Sequence, residues 1–139
     1  MNRICFLLSG LVTVFVLSSS AHAATRYAKV GGAEGSNDYC LTWAAACSLN
    51  HALTQAAPYD EIWVQAGTYP PFDLKDGVKI IGGFAGTEVL ASQSNPTTNV
   101  TLVDGEGSQR CVKSYNVGPS TMLRGFKIAN GDDQEDDTE

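Results

Sequence analysis

The sequence predicts a mainly β protein whose short strands stack as a solenoid. Four apolar segments begin at Ile62, Val78, Val100 and Met122, at steps of 16, 22 and 22 residues. Glycine-containing corners, AGTY and GGFAG, follow the first two segments. Repeats of about 20 residues that combine a short strand with a turn are typical of a solenoid. An antiparallel sandwich also has strands at regular intervals, so spacing alone leaves that alternative open.

The first 23 residues have the order of an export signal. Arg3 supplies a positive charge, Ile4 to Leu17 form an apolar stretch of 14 residues, and Ala21-His22-Ala23 is a small-x-small cleavage site. The stretch is shorter than the about 20 residues that a membrane helix needs, and no longer one follows. We therefore expect an exported chain without a transmembrane segment, located outside the cell or on its surface, with the periplasm as the alternative.

The charge of the chain excludes one class of partner. Without Arg3 the chain has 8 basic and 15 acidic residues, and the basic residues form no cluster. Such a chain is a poor partner for nucleic acid or for an anionic membrane.

Three cysteines follow the signal. Cys40 and Cys47 lie seven positions apart, and after export we expect a disulfide between them. Cys111 is then left over, either as a small buried apolar residue or as an intermolecular partner. No metal site is expected, because no CxxC spacing occurs and His51 is the one histidine after the signal.

The elements before the repeats are a strand, a loop and a helix. Residues 26–30 alternate as a short strand, and the glycine-rich residues 31–37 form a loop. Ser48 is a candidate N-cap and Pro58 a stop signal for the helix between them. The apolar stripe of that helix consists of Leu49, Ala52, Leu53, Ala56 and Ala57.

The strands follow, and then an acidic tail. Strands are predicted at 62–64 and 78–81, with further candidates at 110–115 and 126–128. Residues 131–139 contain six acids that repel one another, which predicts disorder. The predicted division is a signal at 1–23, a strand, loop and capping helix at 24–60, β coils at 61–131 and a disordered tail at 132–139.

Several stretches resemble a known family. CLTWAAAC, DEIWVQAGTY, LKDGVKIIGGFAGTE and LRGFKIANG are similar to the N-terminal segment of bacterial secreted proteins with the pectin-lyase-like fold, which include polymorphic outer-membrane and adhesin-like surface proteins. The resemblance covers about Tyr27 to Gly131. It implies a right-handed, single-stranded parallel β-helix of about three coils, capped by the helix Leu49–Ala57. Members of this family usually continue for many more coils, so the chain is expected to be a truncated N-terminal piece of a larger protein.

The resemblance implies a non-enzymatic role. We expect a surface scaffold or adhesin-like element that binds a glycan or a cell-surface protein. Trp63 and Tyr69 are the candidate ligand contacts. Trp63 alternates with two apolar neighbours and so points away from the core, either exposed or packed under the cap. The uncapped C-terminal coil is a candidate surface for self-association.

The alternative is a polysaccharide lyase-like enzyme or its remnant. Asp104 and Glu106 are candidate ligands for Ca²⁺, with Arg124 or Lys127 as the base that such an elimination requires. The Asp-Gly and Glu-Gly pairs at these positions are equally well explained as turn residues. We therefore assign no catalytic residue and no required cofactor from the sequence.

Overall fold

The structure is a computed structural model that describes residues 23–35 and 39–132. Its elements in chain order are β1 (Thr25–Ala33), α1 (Leu49–Gln55), β2 (Glu61–Gln65), β3 (Gly67–Tyr69), β4 (Phe72–Asp73), β5 (Lys79–Phe84), a short 3-10 helix (Ala91–Gln93), β6 (Thr101–Asp104), β7 (Val112–Lys113), β8 (Met122–Arg124) and β9 (Phe126–Ala129). Most of the predicted export signal and of the acidic tail lies outside the described residues. The predicted domain boundaries therefore stay predictions.

The described strands form three sheets, and the pairs between them are parallel. The first sheet has the order β1-β2-β5-β8, the second β3-β6-β9 and the third β4-β7. Ile62 of β2 is aligned with Arg26 of β1 on one side and with Ile80 of β5 on the other. The antiparallel alternative is therefore excluded.

The predicted right-handed parallel β-helix of about three coils is wrong. The strands are divided among three small separate sheets of four, three and two strands. In the first sheet the aligned residues Thr25, Glu61, Lys79 and Met122 lie 36, 18 and 43 positions apart, so no constant repeat relates them. The segment that begins at Val100 leads into β6, which pairs with β3 and β9 and not with β5. The predicted stacking of all four apolar segments is therefore wrong as well.

The glycine corner predicted after the second segment begins later than predicted, at Ala85 and Gly86. Gly82 and Gly83 continue β5 as far as Phe84. A Cβ atom at Gly82 would lie 2.6 Å from the carbonyl oxygen of Gly125, and the N–H of Gly83 donates to Thr101 Oγ1 at 2.9 Å. These glycines thus allow the end of β5 to lie close against neighbouring backbone, which is a known use of glycine inside a strand.

The helix forms where the sequence predicts it. Ser48 Oγ accepts a hydrogen bond from the N–H of His51 at 3.2 Å, which confirms the predicted N-cap. Leu49, Ala52 and Leu53 are buried, and α1 packs against β1 and β2. The Lys75 ammonium donates to the carbonyls of Leu53 and Thr54 at 2.9 and 3.1 Å, and so stabilises the last turn. The helix ends at Gln55, two residues before the predicted end.

Two apolar clusters lie on opposite faces of the first sheet. The inner cluster draws Ile62 and Ile80 from the first sheet, Val103 from the second and Phe72 from the third, together with the apolar face of α1. The outer cluster consists of Trp63, Ile81 and Phe84, with Tyr27, Trp43, Ala91 and Met122 packed against it. Alternate residues of one strand thus supply both clusters, as the two-residue period of a strand requires.

Candidate functional site

A partly enclosed recess lies between β1, α1 and β3. Its volume is about 210 Å³. Its polar lining comes from Lys29, Glu34, Ser48, Asn50 and Thr68, and its apolar lining from Val30, Leu49, Tyr69 and Pro70. Two shallower recesses of about 270 and 390 Å³ share Asn50 with it and continue along α1 past Thr54. We call these three recesses together the helix groove.

The apolar floor of the groove is fixed by hydrogen bonding and close packing. The Tyr69 hydroxyl donates to the carbonyl of Gln65 at 2.8 Å, and the ring is only 3% exposed. Burial raises the pKa of the Tyr69 phenol, so the group stays neutral and keeps its proton for that bond. A Cβ atom at Gly67 would lie 2.7 Å from Val30 Cγ2, so glycine lets β3 approach β1 here.

Of the two predicted ligand contacts, Tyr69 lies in the groove and Trp63 does not. Trp63 is 5% exposed, stacks on Phe84 at a centroid distance of 4.9 Å and meets Tyr27 edge to face at 5.6 Å. Of the two alternatives left open for Trp63, the structure excludes exposure and shows the side chain packed. Alternation correctly predicted the face on which Trp63 lies, but could not show that other residues cover that face.

The motif GGFAGTE has a structural explanation. The Glu88 carboxylate accepts backbone N–H bonds from Ala85, Gly86 and Thr87 at 2.6, 2.9 and 2.9 Å. Burial opposes the charge of Glu88, but these donors outweigh it and lower the pKa of that carboxyl. The Trp43 indole N–H donates to the Glu88 carbonyl at 2.9 Å, which ties this loop to the segment between Cys40 and Cys47.

The predicted cation ligands act first within a turn. Asp104 Oδ1 accepts bonds from the N–H of Glu106 at 2.9 Å and from Asn130 Nδ2 at 3.0 Å, and both contacts lower the pKa of the Asp104 carboxyl. Glu106 has φ = 53°, a left-handed turn conformation. The ion proposed there stays a prediction, although one oxygen of Asp104 already has two donors.

The two candidate bases belong to different sheets. Arg124 lies on β8 of the first sheet, where its guanidinium reaches the carbonyl of Ala91 at 3.5 Å. Lys127 lies on β9 of the second sheet and is aligned with Leu102. None of the four residues of the lyase hypothesis lines the helix groove.

The cysteines behave as expected, and a histidine lies beside them. Cys40 and Cys47 form the predicted disulfide, and Cys111 is a buried free thiol that donates to the Ala129 carbonyl at 3.2 Å.

The side chain of His51 lies close to this disulfide. One ring nitrogen of His51 and both disulfide sulfurs fall within 4.8 Å of one another. Sequence reasoning missed this cluster. The short Cys47-x3-His51 spacing could have indicated it, because the N-cap Ser48 turns the chain between these two residues.

Comparisons with known proteins identified no relative of this chain. No protein family, curated protein or solved structure matches this chain. The structure therefore defines the chain as a small disulfide-bonded domain of parallel strands with one short helix in its described part. The disulfide is in keeping with a non-reducing environment. Within residues 23–35 and 39–132, no helix has the length and apolar character needed to cross a membrane.

Proposed function

We propose that this chain is an exported, non-enzymatic surface module, a scaffold or adhesin-like element, that binds a glycan in the helix groove. The observation that supports this is the lining of the groove, in which an apolar floor is surrounded by several neutral and charged polar groups. A sugar ring has the matching chemistry, since its C–H faces are apolar and its edges carry hydroxyl donors and acceptors.

The size and composition of the groove favour one kind of ligand. The enclosed recess, about 210 Å³, is smaller than the pockets that hold drug-sized molecules. We therefore expect it to take one terminal sugar, with the next units lying along the shallower recesses beside Asn50 and Thr54. Lys29 and Glu34 carry opposite charges, so the lining does not select strongly for an anionic ligand.

The proposal is tested by glycan-array binding of the chain from Ala24 onward, followed by titration of the best glycan. Thr68→Ala and Asn50→Ala each remove an exposed polar group of the groove. A lost hydrogen bond is worth about 0.5–1.5 kcal/mol, so each variant should bind about two- to tenfold more weakly. Thr97→Ala, at an exposed threonine outside the groove, is the matched control and should bind as the parent does.

Two outcomes would contradict the proposal. One is the absence of binding to any glycan on an array that includes neutral and acidic sugars. The other is binding that both groove variants leave unchanged, which would place the ligand elsewhere on the surface.

The enzyme alternative has its own readout. Eliminative cleavage of a uronate polymer creates a double bond that absorbs in the ultraviolet. We expect no new absorbance with pectate or alginate between about pH 6 and 10 with Ca²⁺ present, because neither Arg124 nor Lys127 lines the helix groove, where a substrate would bind. A rise in absorbance that Arg124→Ala or Lys127→Ala abolishes would favour the enzyme.

A further inference from the structure

The disulfide and His51 form a cluster whose chemistry the proposed function does not use. Among the described residues, Cys40, Cys47 and His51 are the one group of three histidine, cysteine or acidic side chains whose ligand atoms lie together, all within 4.8 Å. Two sulfurs and one imidazole nitrogen are the ligand set that suits Zn²⁺ and similar soft or borderline ions.

We propose that reduction of the Cys40–Cys47 disulfide converts this cluster into a binding site for one Zn²⁺-like ion. The disulfide and the metal are then alternative states of the same cysteine pair. Metal occupancy would depend on whether the chain is reduced or oxidised.

The backbone already brings the three ligands together. Cys47 and His51 are four positions apart, and Ser48 caps the turn between them by accepting the N–H of His51 at 3.2 Å. The Cα atoms of Cys40 and Cys47 are 5.3 Å apart. Around a tetrahedral Zn²⁺ with bonds of about 2.3 Å to sulfur, the two sulfurs would lie about 3.8 Å apart. Once the S–S bond is broken, side-chain rotation covers this change without a large movement of the backbone.

The site has an open side. His51 lines the shallow recess of about 270 Å³ together with Glu34, Ser48, Asn50 and Thr54. Both cysteines are nearly fully buried and do not line that recess. An ion held by three protein ligands would therefore have its fourth position toward the recess, where a water molecule can bind, as in zinc sites with three protein ligands.

The chemistry balances with a dithiol as the reductant. The dithiol supplies two electrons and two protons, its own sulfurs join in a disulfide, and Cys40 and Cys47 become thiols. Binding of the ion then displaces the two thiol protons to the buffer, because the thiolate is the ligand. Neutral imidazole supplies the nitrogen of His51.

The test uses Co²⁺ as a spectroscopic probe and Zn²⁺ as its competitor. The chain from Ala24 onward is reduced with a tertiary phosphine, since a dithiol would itself bind the metal. We expect one Co²⁺ per chain with thiolate-to-cobalt absorption that Zn²⁺ abolishes, and no such absorption in the oxidised chain. His51→Ala should weaken binding by at least about tenfold, as loss of groups that support a metal site does. Cys111→Ser removes a thiol outside the cluster and is the matched control, with unchanged binding expected.

Circular dichroism of the reduced chain decides how the titration is read. If the reduced chain is folded, the absence of thiolate absorption, equal binding by His51→Ala, or lost binding in Cys111→Ser overturns the proposal. If the reduced chain is unfolded, the readout is refolding on addition of Zn²⁺. Failure to refold, or equal refolding of His51→Ala, overturns it in that case.

Discussion

Replacing Gly32 with alanine is expected to lower the free energy of unfolding by more than about 4 kcal/mol, because the new methyl group would collide with backbone that cannot move away. A Cβ atom at Gly32 would lie 2.6 Å from the nitrogen of Ser48 and still nearer to the carbonyl group of Cys47. The neighbouring Ala33 holds that backbone in place through two hydrogen bonds. Its N–H donates to the carbonyl of Ala46 at 3.1 Å, and its carbonyl accepts from the N–H of Ser48 at 3.2 Å. The disulfide segment and the end of β1 would have to separate.

The measurement is chemical denaturation of both variants, and the adjacent glycine supplies the control. A Cβ atom at Gly31 would meet nothing within 4 Å, but Gly31 has φ = +64°. Gly31→Ala should therefore cost only the about 1–2 kcal/mol of a left-handed conformation. If Gly32→Ala were as stable as Gly31→Ala, the close approach of β1 to Cys47 would be wrong.

The features that the sequence predicted well are those set by nearby residues. The helix follows from the stripe that contains Leu49 and Leu53 and from the cap at Ser48, all within a few positions. The disulfide joins cysteines seven positions apart. In each case short chain segments fix the geometry, so spacing carries the information.

The features that the sequence did not predict depend on the path of long connections. The segment at Val100 has the same apolar character as β5, yet residues 85–100 carry it to the second sheet. The spacing of strand starts does not encode that path. The burial of Trp63 likewise depends on Trp43 and Phe84, which come from two other segments. The helix groove combines residues from β1, α1 and β3, and so could not be recognised from any one stretch.

Asp60 should be the most sensitive polar residue of the described chain. Its side chain is 3% exposed, and its oxygens accept bonds from the N–H of Ala24 at 2.8 Å, from the N–H of Ala57 at 2.9 Å and from Arg26 Nε at 3.0 Å. Asp60→Asn removes the charge and leaves the guanidinium of Arg26, itself only 13% exposed, without its ionic partner. Removing one member of a buried pair costs about 3–5 kcal/mol, and we expect a loss in that range.

The pH dependence gives a second measurement of the same contact. Burial opposes the charge of Asp60, but the bonds from Ala57, Ala24 and Arg26 outweigh it and lower the pKa of that carboxyl in the folded chain. The pKa of an aspartate in an unfolded chain is about 3.9. The stabilisation is therefore complete above that pH and is lost as the pH falls through the lowered folded value. The difference in unfolding free energy between the parent and Asp60→Asn should shrink in acid.

Asp73→Asn, at an exposed carboxylate, is the control for this contact. Its unfolding free energy should stay within about 0.5 kcal/mol of that of the parent. An equal loss of stability in Asp60→Asn and Asp73→Asn would contradict the argument.

The bond from Ala24 links this carboxylate to the predicted processing of the chain. Cleavage after Ala23 would turn the backbone N–H of Ala24 into an α-ammonium group, and its bond to Asp60 Oδ1 would become charge-assisted and stronger. A chain that begins at Ala24 should then be more stable than the same chain with two extra residues before Ala24. The advantage should disappear in Asp60→Asn, because the ammonium would have lost its partner. An advantage of equal size in the Asp60→Asn background would show that the new terminus stabilises the fold by some route other than this carboxylate.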